Sequence, residues 1–177
     1  MNTVKMNTSE LKFRAKELRA GDRVLLSGEV FTARDAAHKR LCQLIEKNET
    51  LPFCLDGACI YYTGPTPAPE GMAIGSCGPT TSGRMDKFTP ALLDRGLIAM
   101  VGKGERSEEV CGSIVKNGAV YFCAIGGAGA LAAKSIVACD EIAFKDLGCE
   151  SIKRLVFNDF PLIVGIDSCG GNLFNKK

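Results

Sequence analysis

Short apolar segments alternate with helical segments along this chain, and this alternation constrains the fold more than any other feature. Four apolar segments predict strands: Arg23–Ser27, Ala58–Thr63, Leu97–Val101 and Ala119–Ile125. Four segments predict helices: Ala33–Lys47, Met85–Leu93, Glu108–Lys116 and Ala128–Val137. Strands separated by helices favour an α/β fold with a largely parallel sheet.

Three closely spaced segments near the end of the sequence predict further strands: Glu141–Phe144, Lys153–Phe157 and Leu162–Ile166. Strands this close together leave no room for crossover helices, so we expect an antiparallel addition to the sheet. Thr32 is a candidate cap for the helix that follows it. The proline-rich stretch from Gly64 to Gly83 predicts a loop.

Length and charge limit the classes of protein to consider. The 177 residues fit one domain, in which 1–20 form a polar lead-in and 21–174 the domain proper. The net charge of +2 has no concentrated basic surface, so we expect no nucleic-acid partner. No apolar segment reaches the roughly 20 residues of a membrane span, and the first residues lack a secretory signal. We therefore expect a soluble, cytoplasmic protein.

The nine cysteines do not predict a metal centre built by this chain. No pair has the C-x-x-C spacing, and the nearest pair, Cys54 and Cys59, has no clustered third or fourth ligand. An odd number spread along apolar segments is typical of free thiols, most of them buried, in a reducing compartment.

A glycine pattern after the last parallel strand allows two interpretations. Gly127, Gly129 and Ala132 match the G-x-G-x-x-G/A pattern of dinucleotide-binding proteins, and Asp146 could contact a ribose. Glycines at a strand-to-helix turn also permit close packing without any ligand. The pattern alone favours packing over nucleotide binding.

Three other segments carry cationic side chains at turns. In the segment Thr32–Arg40, Asp35 begins a helix on which Arg34 and His38, four residues apart, share a face. The segment Gly75–Asp86 leads through Thr80, Thr81, Ser82 and Gly83 to Arg84, and Lys103 lies between two glycines. Amides, hydroxyls and guanidinium groups together suit an anion. A small dicarboxylate is the natural ligand, and the lack of other catalytic motifs predicts half of an active site. The alternatives are a surface helix with mixed charges and a capped loop–helix junction.

The same segments resemble a known family. GDRVLLSGEVFTARDAAHKRL, ACIYYTGPTPAPEG, GPTTSGRMDKFTPALLDRGLIAMVGKGER, VYFCAIGGAGALAAKSI, AFKDLGCESI and NDFPLIVGIDSCGGNLF resemble the β subunit of class I fumarate hydratase, which is the C-terminal domain in single-chain versions. The β subunits of L-tartrate dehydratase are close relatives. The resemblance runs from about Gly21 to Phe174. It implies a swivelling β/β/α domain with a mixed, largely parallel sheet flanked by helices.

The resemblance also implies cofactor, partner and reaction. A [4Fe–4S] cluster is carried by the α partner subunit, where its open iron acts as a Lewis acid, and not by this chain. The implied reaction is the reversible hydration of fumarate to (S)-malate in a heterotetramer or in an assembly built on a homodimer of β. The alternatives are tartrate dehydration to oxaloacetate and a non-catalytic binding or assembly module of the same fold.

Site residues are carried over from the family motifs to this sequence. Thr80 matches the group proposed to abstract the C3 proton, with Asp35 and His38 as second candidates that orient Arg34, relay the proton or bridge the subunits. The remaining substrate-binding candidates are Arg34, Thr81, Ser82, Gly83, Arg84 and Lys103.

Overall fold

The computed structural model describes residues 3–124 and 129–175. Seven strands form one mixed sheet: β1 Thr3–Asn7, β2 Arg23–Thr32, β3 Cys59–Tyr61, β4 Ala99–Gly102, β5 Val120–Cys123, β6 Ile136–Ala143 and β7 Ile152–Ile166. The five α-helices are α1 Leu11–Arg14, α2 Asp35–Glu46, α3 Thr89–Leu93, α4 Glu108–Asn117 and α5 Gly129–Ala133. Four 3₁₀ segments join them: Thr8–Glu10, Ala15–Glu17, Ser82–Met85 and Lys145–Glu150.

The sheet closes into a barrel through its last strand. Strands β2, β3, β4 and β5 pair in that order, all parallel. Strand β7 runs antiparallel to β5 on one side and to β2 on the other, so the five strands form a closed ring. Strand β1 extends β2 in parallel, and β6 extends β7 in antiparallel orientation. The α/β class and the antiparallel addition predicted from the sequence are both confirmed.

Buried side chains fill the barrel and the space beneath the helices. Every residue of β3 and of β4 is buried, as expected for strands covered on both faces. The polar lead-in also contributes to this core, because Leu11 and Ala15 on its short helical segments, and Leu18 directly after them, are fully buried. None of the helices in the described ranges is long and apolar enough to cross a membrane.

The predicted and the observed ends of β2 differ, and Gly28 explains the difference. The predicted strand ends at Gly28, whereas β2 continues to Thr32. Gly28 has a φ of 106° and lies at a register shift against β7, so it forms a bulge rather than an end. A side chain there would collide with Thr8 and Asn7. The carboxyl end of β2 is therefore at Thr32, four residues beyond Gly28.

Four other local predictions are wrong. The helix predicted over Met85–Leu93 is α3, which begins only at Thr89, after the 3₁₀ segment Ser82–Met85. Thr32 does not cap α2; its hydroxyl donates to the Ser151 carbonyl and accepts from the Lys153 amide, since Thr32 is still in the strand. The helix predicted over Ala128–Val137 ends at Ala133, and β6 begins at Ile136; Ala128 lies outside the described residues. The two strands predicted over 153–166 are one strand, β7; Asn158 and Asp159 lie unpaired in a bulge opposite Ser27, and pairing with β2 continues on both sides of it.

Candidate active site

The cationic residues lie after three neighbouring parallel strands. Arg34 follows β2, the Gly64–Thr81 loop follows β3, and Lys103 follows β4. Because the carboxyl ends of parallel strands meet at one edge of a sheet, this edge is the usual place for a ligand. The loop returns beside β4, where Thr81 and Lys103 form a parallel bridge. The segments singled out from the sequence are therefore brought together.

Thr80, Arg84 and Asp35 form the centre of this cluster. One terminal nitrogen of Arg84 donates to Thr80 Oγ1 at 2.7 Å and to Asp35 Oδ2 at 3.0 Å. Arg84 belongs to the 3₁₀ segment Ser82–Met85, and Asp35 is the first residue of α2. The side chain of Arg84 is 48% exposed and that of Asp35 is 42% exposed. The cluster is therefore open to solvent on this chain.

Arg34 lies beside this centre with much of its hydrogen-bonding capacity unused. Its Nε is 4.0 Å from Asp35 Oδ2, and within the described chain that buried nitrogen has no hydrogen-bond partner. Gly64 makes room for the guanidinium, since a Cβ there would lie 2.8 Å from one terminal nitrogen. The absence of a side chain at Gly64 thus sets the place of Arg34, which can grip an incoming carboxylate.

Lys103 is attached to the cluster through its backbone. Its carbonyl accepts from the Ser82 amide at 3.0 Å, and its own amide donates to Ser82 Oγ at 3.0 Å. Among the residues that the structure describes, no hydrogen bond or ion pair involves the Lys103 ammonium. Ser82 is fully buried, so its side chain holds the loop rather than facing a ligand. Thr81 and Gly83, by contrast, are exposed at the cluster.

The arrangement has a charge suited to a small dianion. Arg34, Arg84 and Lys103 are cationic and Asp35 is anionic, which leaves a net charge of two positive at these strand ends, where Arg84 bonds the Thr80 hydroxyl. Guanidinium groups favour carboxylates because two of their N–H groups can meet two oxygens. This arrangement can therefore bind a dicarboxylate and place the Thr80 hydroxyl beside it.

Arg106, which was not among the residues singled out from the sequence, supports the cluster through Asp86. Its buried guanidinium donates from Nε to Asp86 at 2.6 Å and from a terminal nitrogen to Thr89 at 2.8 Å. It also lies over the rings of Tyr62 and Tyr121. Asp86 directly follows the 3₁₀ segment that carries Arg84. No pattern in the sequence distinguishes this buried arginine from the exposed ones.

His38 is fully buried and does not reach the exposed cluster. Its Nδ1 lies 2.8 Å from the Arg34 carbonyl oxygen, which can only accept, so Nδ1 carries the proton. Burial lowers the pKa of His38 to about 4, with a smaller lowering effect from the Arg106 charge and opposing effects from the Arg34 carbonyl and Asp35. The ring is thus neutral at pH 7 and supports the backbone of Arg34.

The lowered pKa of His38 predicts a pH dependence of stability. Below pH 6.5 the unfolded chain protonates His38 while the folded chain does not, so the free energy of unfolding falls as the pH drops towards 4. Between pH 7 and 5 the loss is about 2 kcal/mol. His38→Gln should remove this part of the loss. Urea unfolding of both proteins at the two pH values measures it, and an equal loss in both would contradict the burial argument.

The glycine pattern of the dinucleotide interpretation is used for packing. Gly127 lies outside the described residues, but a side chain at Gly129 would collide with Ser76, and the Gly129 carbonyl accepts from the Cys77 amide. Asp146 forms an ion pair with Arg40 on α2. The described part of the pattern therefore supports the packing alternative.

The cysteines give no metal centre within the described ranges. All nine are free, and six of them are at least partly buried. Burial raises the pKa of Cys77 to about 12, so that thiol stays protonated at neutral pH. No three His, Cys, Asp or Glu side chains in the described chain are placed to hold a metal ion. The donor set does not fit an iron–sulfur cluster held by this chain.

Comparisons with known proteins identify the family of this chain. The family described as Fumarase C-terminus matches residues 1–177. The chain is 36% identical over 170 residues to the aerobic class I fumarate hydratase of Salmonella typhimurium, covering 95% of this chain and 29% of that protein. It is 39% identical over 171 residues to a putative L(+)-tartrate dehydratase subunit beta of Methanocaldococcus jannaschii, covering 92% of this chain and 88% of that subunit. A tartrate dehydratase subunit beta of Escherichia coli is 36% identical over 172 residues, covering 92% and 83%. The chain spans less than a third of the fumarate hydratases that it matches.

Proposed function

This chain belongs to the Fumarase C-terminus family, and we propose that it is the β subunit of a cytoplasmic iron–sulfur hydro-lyase that reversibly hydrates fumarate to (S)-malate. One observation carries the proposal: three cationic residues lie at the ends of three neighbouring strands, and one of them, Arg84, bonds both the Thr80 hydroxyl and the Asp35 carboxylate. The names of the relatives supply the reaction type, since they include fumarate hydratases and tartrate dehydratase subunits.

In this proposal the cations bind and orient the substrate. Arg34 and Lys103, whose charged groups are not engaged by strong ion pairs in the described chain, each take a carboxylate, and exposed Thr81 and Gly83 border the same space. Arg84 keeps its bonds to Asp35 and Thr80 and turns its remaining N–H groups towards the substrate. Fixed cations of this kind stabilise the negative charge that develops when a proton leaves C3.

In this proposal Thr80 abstracts the proton from C3 of the substrate. A threonine hydroxyl is a weak base, so it must first lose its own proton, and the Arg84 N–H at 2.7 Å stabilises the oxygen that remains. Asp35 accepts from the same Arg84 nitrogen and is the carboxylate proposed to take that proton. His38 acts through the backbone of Arg34 and not on the substrate. Ser82 likewise positions the loop.

The rest of the active site is assigned to a partner. Since the described side chains do not fit a cluster, the [4Fe–4S] group is placed on the α subunit, and binding, orientation and proton transfer fall to this chain. The 48% exposure of Arg84 supports this division, because catalytic charges act best where water is excluded. The proposal includes a swivelling arrangement in which the barrel turns as one body against the α subunit.

Anaerobic absorbance at the fumarate band tests the proposal. We expect no malate dehydration by this chain alone and activity with the iron–sulfur-reconstituted α partner. Activity of the chain alone would contradict the split site. A tight complex with an intact cluster but no turnover of any hydroxy acid would favour the non-catalytic module.

Tartrate dehydratase is the second candidate function. The match to the Methanocaldococcus jannaschii subunit favours it, because that relative is a separate chain covered over 88% of its length. The same complex assayed with L-tartrate distinguishes the two substrates. A higher kcat/KM for tartrate than for malate would replace fumarate hydration in the proposal.

An apolar groove beside the cluster is the surface where we expect the α subunit to bind, and it gives another prediction. Ala124, Leu131, Phe160 and Pro161 line a groove, and the Ala124 amide donates to the carbonyl of Gly102, next to Lys103. Leu131 is 58% exposed. A subunit that covers the cluster would cover this groove as well, so Leu131→Glu should weaken α-subunit binding roughly tenfold to 100-fold.

Calorimetric titration of the α subunit measures this change in affinity. Val115→Glu is the matched control, because Val115 is 43% exposed on α4, in the turn that leads into β5 at the opposite edge of the barrel. The control should bind as the parent chain does. Equal affinities for Leu131→Glu and the parent would remove this groove from the proposed interface.

A further inference from the structure

Tyr121 is a buried side chain that the proposed reaction does not use. It lies on β5, is fully buried, and brings its hydroxyl to 2.9 Å from Ser82 Oγ and 2.9 Å from the Gly104 carbonyl oxygen. Ser82 and Gly104 lie on either side of the place where Lys103 joins the cluster. A phenol at this position contacts both segments that carry the candidate site.

The hydrogen atoms of this group can be assigned by counting donors and acceptors. The Gly104 carbonyl only accepts, so the Tyr121 hydroxyl gives its one hydrogen there. The Ser82 hydroxyl can then donate to the Tyr121 oxygen while accepting from the Lys103 amide at 3.0 Å. In this arrangement each acceptor receives its own hydrogen. The bonds form a chain that begins at the amide of Lys103 and ends at the carbonyl of the next residue.

Packing at Gly102 keeps this chain in place. A side chain at Gly102 would collide with Ser82 Oγ and come within 2.9 Å of the Tyr62 ring. The Ser82 hydroxyl therefore sits directly against the backbone of β4, one residue before Lys103. Buried hydroxyls that are fully hydrogen-bonded hold their neighbours more rigidly than single exposed bonds do.

We propose that Tyr121 is a positioning residue which, through Ser82, fixes Lys103 relative to Thr80 and Arg84. The inference rests on the proposed function, because Lys103 there binds a substrate carboxylate. Ser82 precedes Arg84 by two residues in the same 3₁₀ segment, so the hydrogen-bonded chain ties the lysine to the segment that carries the arginine. Tyr121 touches neither the substrate nor Thr80; it acts through the backbone of Lys103.

Hydrogen exchange on this chain tests the hydrogen-bonded group independently of catalysis. Tyr121→Phe keeps the ring and removes the hydroxyl, and the Lys103 amide should then exchange about tenfold faster. Tyr61→Phe is the matched control, because Tyr61 is a buried tyrosine on β3, the other neighbour of β4, and its hydroxyl donates to the Cys77 carbonyl. An unchanged Lys103 amide in Tyr121→Phe, or an equal change in Tyr61→Phe, would overturn the proposal.

A double-mutant cycle in the reconstituted complex tests the link to activity. Tyr121→Phe should lower kcat/KM roughly 10-fold to 100-fold in the parent complex, as expected for a displaced binding group. In a Lys103→Ala background the same change should have little further effect, whereas a loss of general stability would add to it. Fully additive losses would overturn the positioning role. Absence of hydro-lyase activity in the parent complex would instead contradict the proposed function, and the exchange result would still decide the hydrogen-bonded group.

Discussion

Thr80→Val is expected to lower kcat of the reconstituted complex by about 10³-fold, since a positioned proton-transfer group contributes roughly 10²–10⁴-fold. Valine has nearly the shape of threonine but no hydroxyl, so Arg84 loses the acceptor at 2.7 Å and the proposed reaction loses the base at C3. Substrate binding through Arg34 and Lys103 should persist. KM is therefore expected to change much less than kcat in the anaerobic fumarate assay.

Two further variants separate proton transfer from packing. Thr80→Ser keeps the hydroxyl and should retain kcat within about tenfold of the parent. Thr63→Val is the control for the loop, because the Thr63 hydroxyl donates to the Gly78 carbonyl at 2.9 Å and holds the same loop from inside. Thr63→Val should lower the free energy of unfolding and have little effect on kcat. Equal activity of Thr80→Val and Thr80→Ser would show that the hydroxyl does not move the proton.

Arg84→Lys is expected to reduce kcat/KM by about 10²–10³-fold, the range for loss of one preorganised charged donor. The charge is kept, but a lysine ammonium lacks the planar fork that bonds Asp35 and Thr80 and still faces the substrate. The Thr80 hydroxyl would then be free to rotate away from C3. Steady-state kinetics with malate and fumarate measure the loss in both directions.

Arg95→Lys provides the matched control for this exchange of side chains. Arg95 is exposed after α3, away from the strand ends that carry the cluster. Its kinetics should equal those of the parent complex. If Arg84→Lys also keeps full activity, the fork geometry is not needed, and the role of Arg84 reduces to that of a point charge.

From β2 onward the order of strands and helices could be predicted because it depends on local patterns, whereas β1 and α1 lie in the segment predicted to be only a polar lead-in. Helix α4 begins one residue after Ser107 and ends before Gly118, as its capping residue and its positive-φ glycine indicate. The extent of β7 could not be predicted, because Asp159 is a turn residue by local preference. Asp159 does adopt a positive φ of 47° in a bulge, but the residues on both sides of it pair with β2, β5 and β6, so the strand continues past it.

The site was partly predictable for a similar reason. Arg34, Thr80, Arg84 and Lys103 follow or approach the ends of parallel strands, and parallel pairing brings such ends together. The link between Asp35 and Arg84 depends on how a loop folds back over 49 residues, which no periodicity encodes. Arg106 was not predictable either, since it is buried against two tyrosine rings distant in sequence, Tyr62 just after β3 and Tyr121 on β5.

Closure of the barrel by β7 also has a consequence for the order of folding during synthesis. Arg23 pairs with Ile163, near the two ends of the described chain. Strands β2 to β5 therefore leave the ribosome with two open edges, which stay unpaired until β7 emerges. Pairings this distant in sequence form slowly, and open edges promote aggregation. We expect truncations before β7 to aggregate rather than fold, so that the strand ends carrying the candidate site are fixed only when β7 closes the ring.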